Sequence, residues 1–392
     1  LNQRKKTIEK DILSKLPKIN YQKITVEKIK DALPLNSVLI EFQKYRTYSW
    51  DEKNNNFGKY RYKAIILSKK GGIEIIDLGE SSVIDSEILK SLNEVQFSSN
   101  KKKLGNWDKV SSLLLKPINQ YIKDNSIIYL SFDSNLNFVP INLLRNNEGV
   151  YYSEIYELRA VSSARELIAL KRKKMTTSAN KSIVLANPSF DEEIDDVNFK
   201  NLNNRNFKQI RSSGECITTF QSLQNTKYEG KEVARILNAN LFSEKDANSL
   251  TLQNLNNSPR LIHIATHGFF CEKPINSDEN PLNQVGLVLA GANSNKSNSF
   301  DDGFLTAMEI TKLNLTNTEL VVLSTCDSAK GFEKGSEGII GLRRSLAVAG
   351  ARSSILSLWK IDDEATSQFM INFYKRLKSG ESRLQALLNT QK

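Results

Sequence analysis

The chain has 392 residues, which is more than one ordinary core accommodates and predicts two domains. Hydrophobic residues make up 39% and charged residues 25%, a balance that excludes a fibrous or wholly disordered protein. No apolar run approaches the roughly 20 residues that a membrane-spanning helix needs. The amino end is charged and lacks the apolar core of a secretory signal, so we expect neither export nor a membrane partner.

The charge and the cysteines narrow the class of protein further. The formal net charge is +11, and a basic surface attracts nucleic acid or an acidic protein. Because no recognisable nucleic-acid module accompanies the lysines, we expect no nucleic-acid partner. The cysteines are Cys216, Cys271 and Cys326, an odd and sparse set that indicates a reducing, cytoplasmic compartment. The chain starts without methionine, so we expect it to be a piece of a longer protein.

The first half of the chain is predicted to form helices followed by a small α/β unit. Its predicted helices are 1–33, about 83–97, about 107–123 and 164–173. Its predicted strands are 38–42, 62–67, 72–77, 125–132 and an edge segment at 137–142, with a polar hairpin turn at 52–58. The linker-like run Thr176–Asn180 predicts a boundary that divides the chain into domains 1–178 and 179–392. The first domain contains no histidine and no cysteine, so it supplies no evident nucleophile.

The second half alternates strands and helices, which predicts a mostly parallel sheet covered by helices on both faces. Its predicted strands are 182–186, 240–242, 285–289, 351–359 and the two apolar runs within 261–268 and 320–327. Its predicted helices are about 229–238, 247–256, 305–313, 337–350 and 362–377. Polar loops occupy 190–227 and 293–302.

Two of these strands end in a reactive side chain, His267 in one and Cys326 in the other. Because the carboxyl ends of parallel strands share one edge of a sheet, we expect the imidazole and the thiol to face one pocket. An imidazole that takes the proton of a thiol makes it a nucleophile. The backbone N–H groups of Gly268 and Cys326, at the two turns, are predicted to bind a developing oxyanion. The pattern therefore predicts a Cys–His dyad.

The other histidine and cysteines have simpler interpretations. A buried cysteine often acts as a small hydrophobe, but the coincidence of two strand ends favours chemistry for Cys326. His263 is interpreted as a structural histidine, because half-buried histidines usually find a partner. Cys271 and Cys216 lie in predicted loops, and we assign them no role.

Metal and cofactor sites are not predicted. His263 and His267 are four residues apart on a strand, and no second metal-binding motif accompanies them. The glycine-rich segment 331–338 lacks the Gly-Lys-Ser/Thr ending of a phosphate loop. It also carries Glu333 and Glu337, which would repel a phosphate. We therefore expect no cofactor and no metal.

Five motifs in the second half make the sequence similar to a known family. They are Ala265–Phe270, Asp302–Ile310, Val321–Asp327, Glu337–Arg344 and Ala349–Thr366. In this order and spacing they resemble the CHAT domain, a caspase-like cysteine peptidase domain of clan CD that is related to separase. The resemblance extends more weakly back to about residue 35.

The resemblance implies a fold and a catalytic pair. The implied fold is α/β, with a caspase/separase-like, mostly parallel sheet flanked by helices over 179–392. A smaller α/β pseudo-protease-like lobe, 1–178, is implied to precede it. His267 and Cys326 fall on the positions of the family's catalytic dyad. Because CHAT domains are often fused to tetratricopeptide repeats, we expect an upstream TPR or other regulatory domain, or a partner protein.

The resemblance also implies a substrate-binding residue. The segment Trp359–Asp363 is similar to the separase segment whose aspartate contacts the P1 arginine, and Asp363 falls on that position. A carboxylate there favours arginine over lysine, because a guanidinium pairs with it through two hydrogen bonds. Asp327 is the second candidate, and the indole of Trp359 is expected to wall the cleft. The alternative is that Asp362 and Asp363 only cap the helix that follows, and we assign that role to Asp362.

The sequence thus predicts a cysteine endopeptidase that cleaves protein substrates after a basic residue. The loops 190–227 and 293–302 are candidates for activation or self-cleavage, with Arg205, Arg211 and Lys296 as basic cleavage positions. The alternative is a catalytically silent module that serves as a protein-binding signalling scaffold. The intact His–Cys pair argues against this alternative, because a scaffold need not keep both residues.

Overall fold

The structure is a computed structural model that describes a large part of the chain. The described residues are 24–51, 54–97, 106–172, 180–192, 219–255, 257–270, 280–294, 301–325, 331–333, 339–358 and 362–392. Among them, no helix has both the length and the apolar character that a bilayer crossing requires.

A five-stranded mixed sheet forms the first half. Its strands are β1 (Ser37–Asp51), β2 (Asn54–Ser68), β3 (Ile73–Glu80), β4 (Ile127–Ser131) and β5 (Glu157–Val161). They lie in the order β3-β2-β1-β4-β5, antiparallel from β3 to β1 and parallel from β1 to β5. The predicted turn at 52–58 is wrong in extent, because β2 already begins at Asn54. Cation–π contacts stabilise this hairpin. The Arg46 guanidinium on β1 lies 4.8 Å and 4.9 Å from the ring centres of Phe57 and Tyr60 on β2.

Six helices accompany this sheet within the described residues. They are α1 (Val26–Ala32), α2 (Ser81–Phe97), α3 (Asp108–Leu114), α4 (Asn119–Ile122), α5 (Tyr152–Ile155) and α6 (Ala164–Arg172). The single helix predicted over 107–123 is broken, because Pro117 lacks an N–H and its ring clashes with the preceding turn. The predicted edge segment at 137–142 is also wrong, since the chain forms 3-10 turns at Ser134–Phe138 and Ile141–Leu143.

The second half contains a larger set of strands and helices. Its strands are β6 (Ile183–Pro188), β7 (Asn240–Glu244), β8 (Leu261–Ala265), β9 (His267–Phe270), β10 (Val285–Val288), β11 (Phe304–Thr306), β12 (Leu320–Ser324), β13 (Gly331–Glu333), β14 (Ile339–Gly341) and β15 (Ser354–Leu356). Its helices are α7 (Gln224–Leu237), α8 (Ser249–Gln253), α9 (Ala307–Ile310), α10 (Leu342–Ala349), α11 (Asp363–Lys378) and α12 (Arg383–Gln391).

The central sheet of the second half is parallel throughout, in the order β15-β12-β8-β6-β7. Helices cover both faces. On one face, Ile264 and Leu323 pack with Leu346 of α10. On the other face, Val184 and Val322 pack with Tyr374 of α11. Because β8 and β12 are buried on both sides, they are the continuous apolar runs that the sequence shows. The predicted α/β fold with a parallel sheet between helices is therefore confirmed.

A small antiparallel sheet, in the order β11-β10-β9, adjoins the carboxyl end of β8. The helix predicted over 305–313 is mostly wrong, because its first residues form β11 and only α9 is helical. A capping box starts that helix, in which Thr306 and Glu309 accept each other's backbone N–H groups.

No sheet of the described residues combines strands of both halves, and a few polar contacts join the two halves. The Arg343 guanidinium donates to the Asn137 side-chain oxygen at 2.6 Å, and the Asn142 amide donates to Gln391 at 3.1 Å. Burial lowers the pKa of Arg343. The predicted boundary between 178 and 179 lies outside the described residues, so the division into two domains stays a prediction.

A buried carboxylate joins the loop before β11 to the start of α8. Asp301 Oδ2 accepts the backbone N–H groups of Ser249 at 2.8 Å and Leu250 at 3.3 Å, and its Oδ1 accepts that of Gly303 at 2.9 Å. Gly303 has φ of +76° and would place a Cβ against the Ala292 backbone, so the turn requires glycine. Burial raises the pKa of Asp301, against the effect of the three N–H donors.

We expect Asp301→Ala to lower the free energy of unfolding by about 3 kcal/mol, because three backbone donors lose their buried acceptor. Asp246→Ala is the matched control, since Asp246 is an exposed aspartate in the same half. Chemical denaturation of both variants and the wild type measures the difference. Equal losses in the two variants would contradict the role given to Asp301.

Candidate active site

His267 lies where the chain leaves the central sheet. The preceding residue, Thr266, is buried, and its hydroxyl donates a hydrogen bond to the Val288 carbonyl of β10. The chain therefore turns out of β8 and starts β9, in which His267 pairs with Val288. The prediction that the strand stops at His267 is corrected in detail: β8 ends at Ala265, and His267 is the first residue of the next strand.

A backbone carbonyl fixes the orientation of the His267 ring. Its Nε2 atom lies 2.8 Å from the carbonyl oxygen of Gln221, in the segment that leads into α7. A carbonyl oxygen can only accept a hydrogen bond, so Nε2 carries the proton in the neutral ring. The lone pair is then on Nδ1, which makes Nδ1 the atom that can take a proton from a nucleophile.

Aromatic rings surround the half-buried imidazole. The ring centres of Phe190 and Phe220 lie 5.4 Å and 5.7 Å from that of His267. Phe220 packs in turn edge-on against Phe304 of β11, at 6.1 Å. These contacts restrict rotation of the imidazole while leaving part of it exposed.

The central sheet brings the end of β12 beside the end of β8. The two strands are parallel, with Ser324 opposite Ala265 as the last pair. Positions 326 and 267 therefore each follow the last paired residue of their strand by two residues. Cys326 itself lies outside the described residues, and the description of this strand end stops at the buried Thr325. The Cys–His dyad and the oxyanion role of the Cys326 N–H stay predictions.

Of the other predicted site residues, some lie within the described part of the chain and some outside it. Gly268 lies in β9 opposite Leu287, at the same edge as His267, and its oxyanion role stays a prediction. Asp327 and Trp359 lie outside the described residues. Two further groups also lie outside the described residues. They are the cysteines without a predicted role, Cys216 and Cys271, and the candidate cleavage positions Arg205, Arg211 and Lys296.

The two aspartates at the start of α11 have separate partners. Asp362 is the N-cap residue, and its side chain accepts the Ala365 N–H at 3.1 Å, which confirms its predicted capping role. Asp363 Oδ2 accepts the Asn225 N–H at 3.0 Å and so links α11 to the first turn of α7. Asn225 is four residues beyond Gln221, which places this carboxylate at the same end of α7 as the His267 contact. The P1 role of Asp363 stays a prediction.

His263 is fully buried beneath the site, which agrees with its interpretation as a structural histidine. Its Nε2 atom lies 3.0 Å from Oε1 of Glu229 on α7, and its Nδ1 atom lies 3.3 Å from the Tyr374 hydroxyl on α11. Burial, followed by the nearby Glu229 carboxylate, raises the pKa of Tyr374 well above its ordinary value. Among the described residues, no cluster of His, Cys, Asp or Glu could hold a metal ion.

The most informative site contact, the Gln221 carbonyl at His267, has no signal in the sequence. A backbone carbonyl is present at every residue, so only the fold shows which one meets the imidazole. The segment around Gln221 also lies in the predicted polar loop 190–227, where no periodicity indicates a position.

The comparisons with known proteins agree with this architecture. The family model of the CHAT domain matches residues 107–392. The chain belongs to the CHAT-domain family. The resemblance inferred from the five motifs is thereby confirmed, and with it membership of a family of caspase-like cysteine peptidases.

The remaining comparisons add little to the family assignment. No curated protein matches the chain. Among solved structures, the chain is similar to the complex of Porphyromonas gingivalis RgpB pro- and mature domains. The two are 9% identical, with 79% of this chain and 70% of that chain covered and a TM-score of 0.38. A likeness at this level carries no information on activity.

We expect Thr266→Val to lower the free energy of unfolding by about 1–2 kcal/mol, because the buried Val288 carbonyl loses its donor. Thr266→Ser is the matched control, since it keeps the hydroxyl and removes only a methyl group. Denaturation curves for the two variants provide the measurement. A Val variant as stable as the wild type would show that this hydrogen bond does not hold the turn into β9.

Proposed function

We propose that this CHAT protein is a cysteine endopeptidase in which Cys326 is the nucleophile and His267 is its base. The observation that carries the proposal is the contact of 2.8 Å between His267 Nε2 and the Gln221 carbonyl. It leaves Nδ1 as the basic atom, at the edge of the sheet where β12 leads to Cys326. The family assignment to CHAT supports the same reaction class.

The reaction follows from this arrangement. Nδ1 takes the thiol proton, and the Cys326 thiolate attacks the scissile carbonyl carbon. The N–H groups of Gly268 and Cys326 hold the oxyanion. The protonated imidazole gives its proton to the leaving amine, and an acyl-enzyme thioester remains. Water then attacks the thioester while His267 takes a proton, which restores the thiol and releases the new carboxyl end. The Gln221 carbonyl keeps the ring oriented through both proton transfers.

Substrate choice is assigned to Asp363, with Asp327 as the second candidate and Trp359 as a wall of the cleft. The Asp363 Oδ2 atom already accepts the Asn225 N–H, which holds the carboxylate at the start of α7 and α11. A carboxylate held in this way favours a cationic P1 side chain. Arginine is preferred over lysine, because a guanidinium is permanently charged and offers several N–H donors. The substrates proposed are therefore proteins with an exposed arginine at the cleavage site.

Regulation and location complete the proposal. An upstream repeat domain or a partner protein is proposed to control access to the site, and cleavage within 190–227 or 293–302 is proposed as one route of activation. The sparse cysteines favour a cytoplasmic protein.

We expect Cys326→Ala to abolish hydrolysis of a fluorogenic peptide with arginine at P1, because no other thiol is assigned to attack. Cys271→Ala and Cys216→Ala are the matched controls and should retain activity. Peptide hydrolysis, measured with and without candidate activating partners, provides the readout. Hydrolysis that persists in Cys326→Ala would contradict the assigned nucleophile. An inert wild type whose Cys326 is also unreactive toward alkylation would favour the scaffold alternative.

We expect Asp363→Asn to lower kcat/KM for the arginine peptide by about tenfold to a hundredfold, the range of one charge-assisted hydrogen bond. The asparagine keeps an oxygen for the Asn225 N–H, so the helix contact survives while the charge is lost. Asp362→Asn is the control, because it changes an adjacent cap of the same helix. An arginine preference that is unchanged in Asp363→Asn would show that another residue selects P1.

A further inference from the structure

The loop after β10 contains an asparagine whose bonds converge on the segment that holds His267. Asn293 Oδ1 accepts the backbone N–H of Phe220 at 2.9 Å, and its Nδ2 donates to the Phe220 carbonyl at 2.8 Å. The carboxamide thus pairs with both polar backbone groups of one residue, as a neighbouring strand would. Both the position and the direction of the chain at Phe220 are fixed by this pairing.

Asn293 also fixes the second aromatic neighbour of the imidazole. Its backbone N–H donates to the Phe190 carbonyl at 2.9 Å, and Nδ2 makes a further bond to the Asp191 carboxylate at 2.8 Å. Gly291, two residues earlier, donates to the Ser189 carbonyl at 3.0 Å. The loop therefore holds the segment after β6 and the segment before α7 at the same time.

Asn293 influences the position of the His267 ring through the backbone of Phe220 and Gln221. We call residues 220–223, which lead into α7, the strap. The Phe220 ring of the strap packs against the imidazole at a tilt of 41°, and the next carbonyl, that of Gln221, accepts from Nε2. Since Asn293 fixes Phe220 through both of its backbone groups, it also sets where the Gln221 carbonyl lies. No other described side chain has a hydrogen bond to the backbone of Phe220 or Gln221 apart from the His267 ring itself.

We propose that Asn293 is a positioning residue for the reaction, which holds the strap so that the Gln221 carbonyl fixes the proton of His267 on Nε2. This inference rests on the proposed function of His267 as the base. Asn293 does not touch the substrate or the thiol. Only a side chain with a donor and an acceptor in one plane makes this pair of bonds, so neither aspartate nor alanine replaces it.

The chain offers a direct test, because it contains only two histidines. Labelling histidine with ¹⁵N gives the ring nitrogens of His267 and His263 alone, and the fully buried His263 serves as an internal reference for folding. In the neutral ring of the wild type we expect the His267 Nε2–H proton to be observed, with Nδ1 unprotonated. In Asn293→Ala we expect exchange of that proton with water to be at least about tenfold faster, because its acceptor is no longer held.

Asn293→Asp is a second variant, since it keeps an acceptor for the Phe220 N–H but loses both donors. Its carboxylate would face the Phe220 carbonyl and the Asp191 carboxylate, so we expect the same faster exchange. Asn240→Ala, at an exposed position on β7 in the same half, is the matched control and should leave the His267 signals unchanged. Wild-type exchange at His267 in both Asn293 variants, with intact His263 signals, would overturn the positioning role.

Activity separates this inference from the proposed function. With an active wild type, we expect Asn293→Ala to lower kcat by about tenfold, to change KM little, and to shift the acidic limb of the pH profile of kcat/KM. An inert wild type whose His267 proton still responds to Asn293 would retain the positioning role and remove the peptidase assignment. An active wild type whose variants keep the wild-type kcat and pH profile would retain the peptidase and remove the positioning role.

Discussion

Parallel pairing between β8 and β12 is the constraint on which the site depends. With Ala265 opposite Ser324, β8 and β12 end at the same level, so the chain leaves both strands at the same edge of the sheet. The contacts of His263 restrain this register, because a slip of one residue would turn its ring away from Glu229 and Tyr374. The proposed pair of His267 and Cys326, which follow adjacent strands, needs no further element to bring its members to the same edge. The elements around the strands instead determine how the imidazole is oriented.

Helices α7 and α11 pack together on one face of the central sheet and support the edge at which β8 and β12 end. Deep in the core they meet across His263, which contacts Glu229 on one helix and Tyr374 on the other. At their amino ends they meet again, where Asp363 accepts the Asn225 N–H. The segment that contacts His267 runs directly into α7. The buried contacts of His263 and the Gln221 carbonyl at His267 are therefore connected through α7.

Local sequence patterns predicted the elements that are decided by local chemistry. The apolar runs of β8 and β12 and the Asp362 cap depend on neighbouring residues, and each was found within the predicted segment, although β8 ends two residues before His267. The resemblance to CHAT domains correctly predicted the family. Elements set by distant pairing were mispredicted: β11 pairs with β10, and this contact converts the start of a predicted helix into a strand. Pro117 is a local signal for a broken helix that the periodicity obscured.

The sequence indicates the side chains that are proposed for the site, but not the backbone groups around them. A histidine and a cysteine after apolar runs are visible in the sequence, whereas the Gln221 carbonyl and its support by Asn293 emerge only when loops far apart in the chain meet. Asn293 lies at the start of a predicted polar loop, where asparagine is common and signals only a turn.

The central claim is that His267 activates Cys326, and thiol reactivity tests it most directly. In a protein with Cys216→Ala and Cys271→Ala, the rate of alkylation of Cys326 by iodoacetamide can be followed by mass spectrometry across neutral pH. With His267 present we expect a rate at least about tenfold higher than in the same protein with His267→Ala, because an imidazole that takes the thiol proton produces the reactive thiolate. Equal rates in the two proteins would contradict the account.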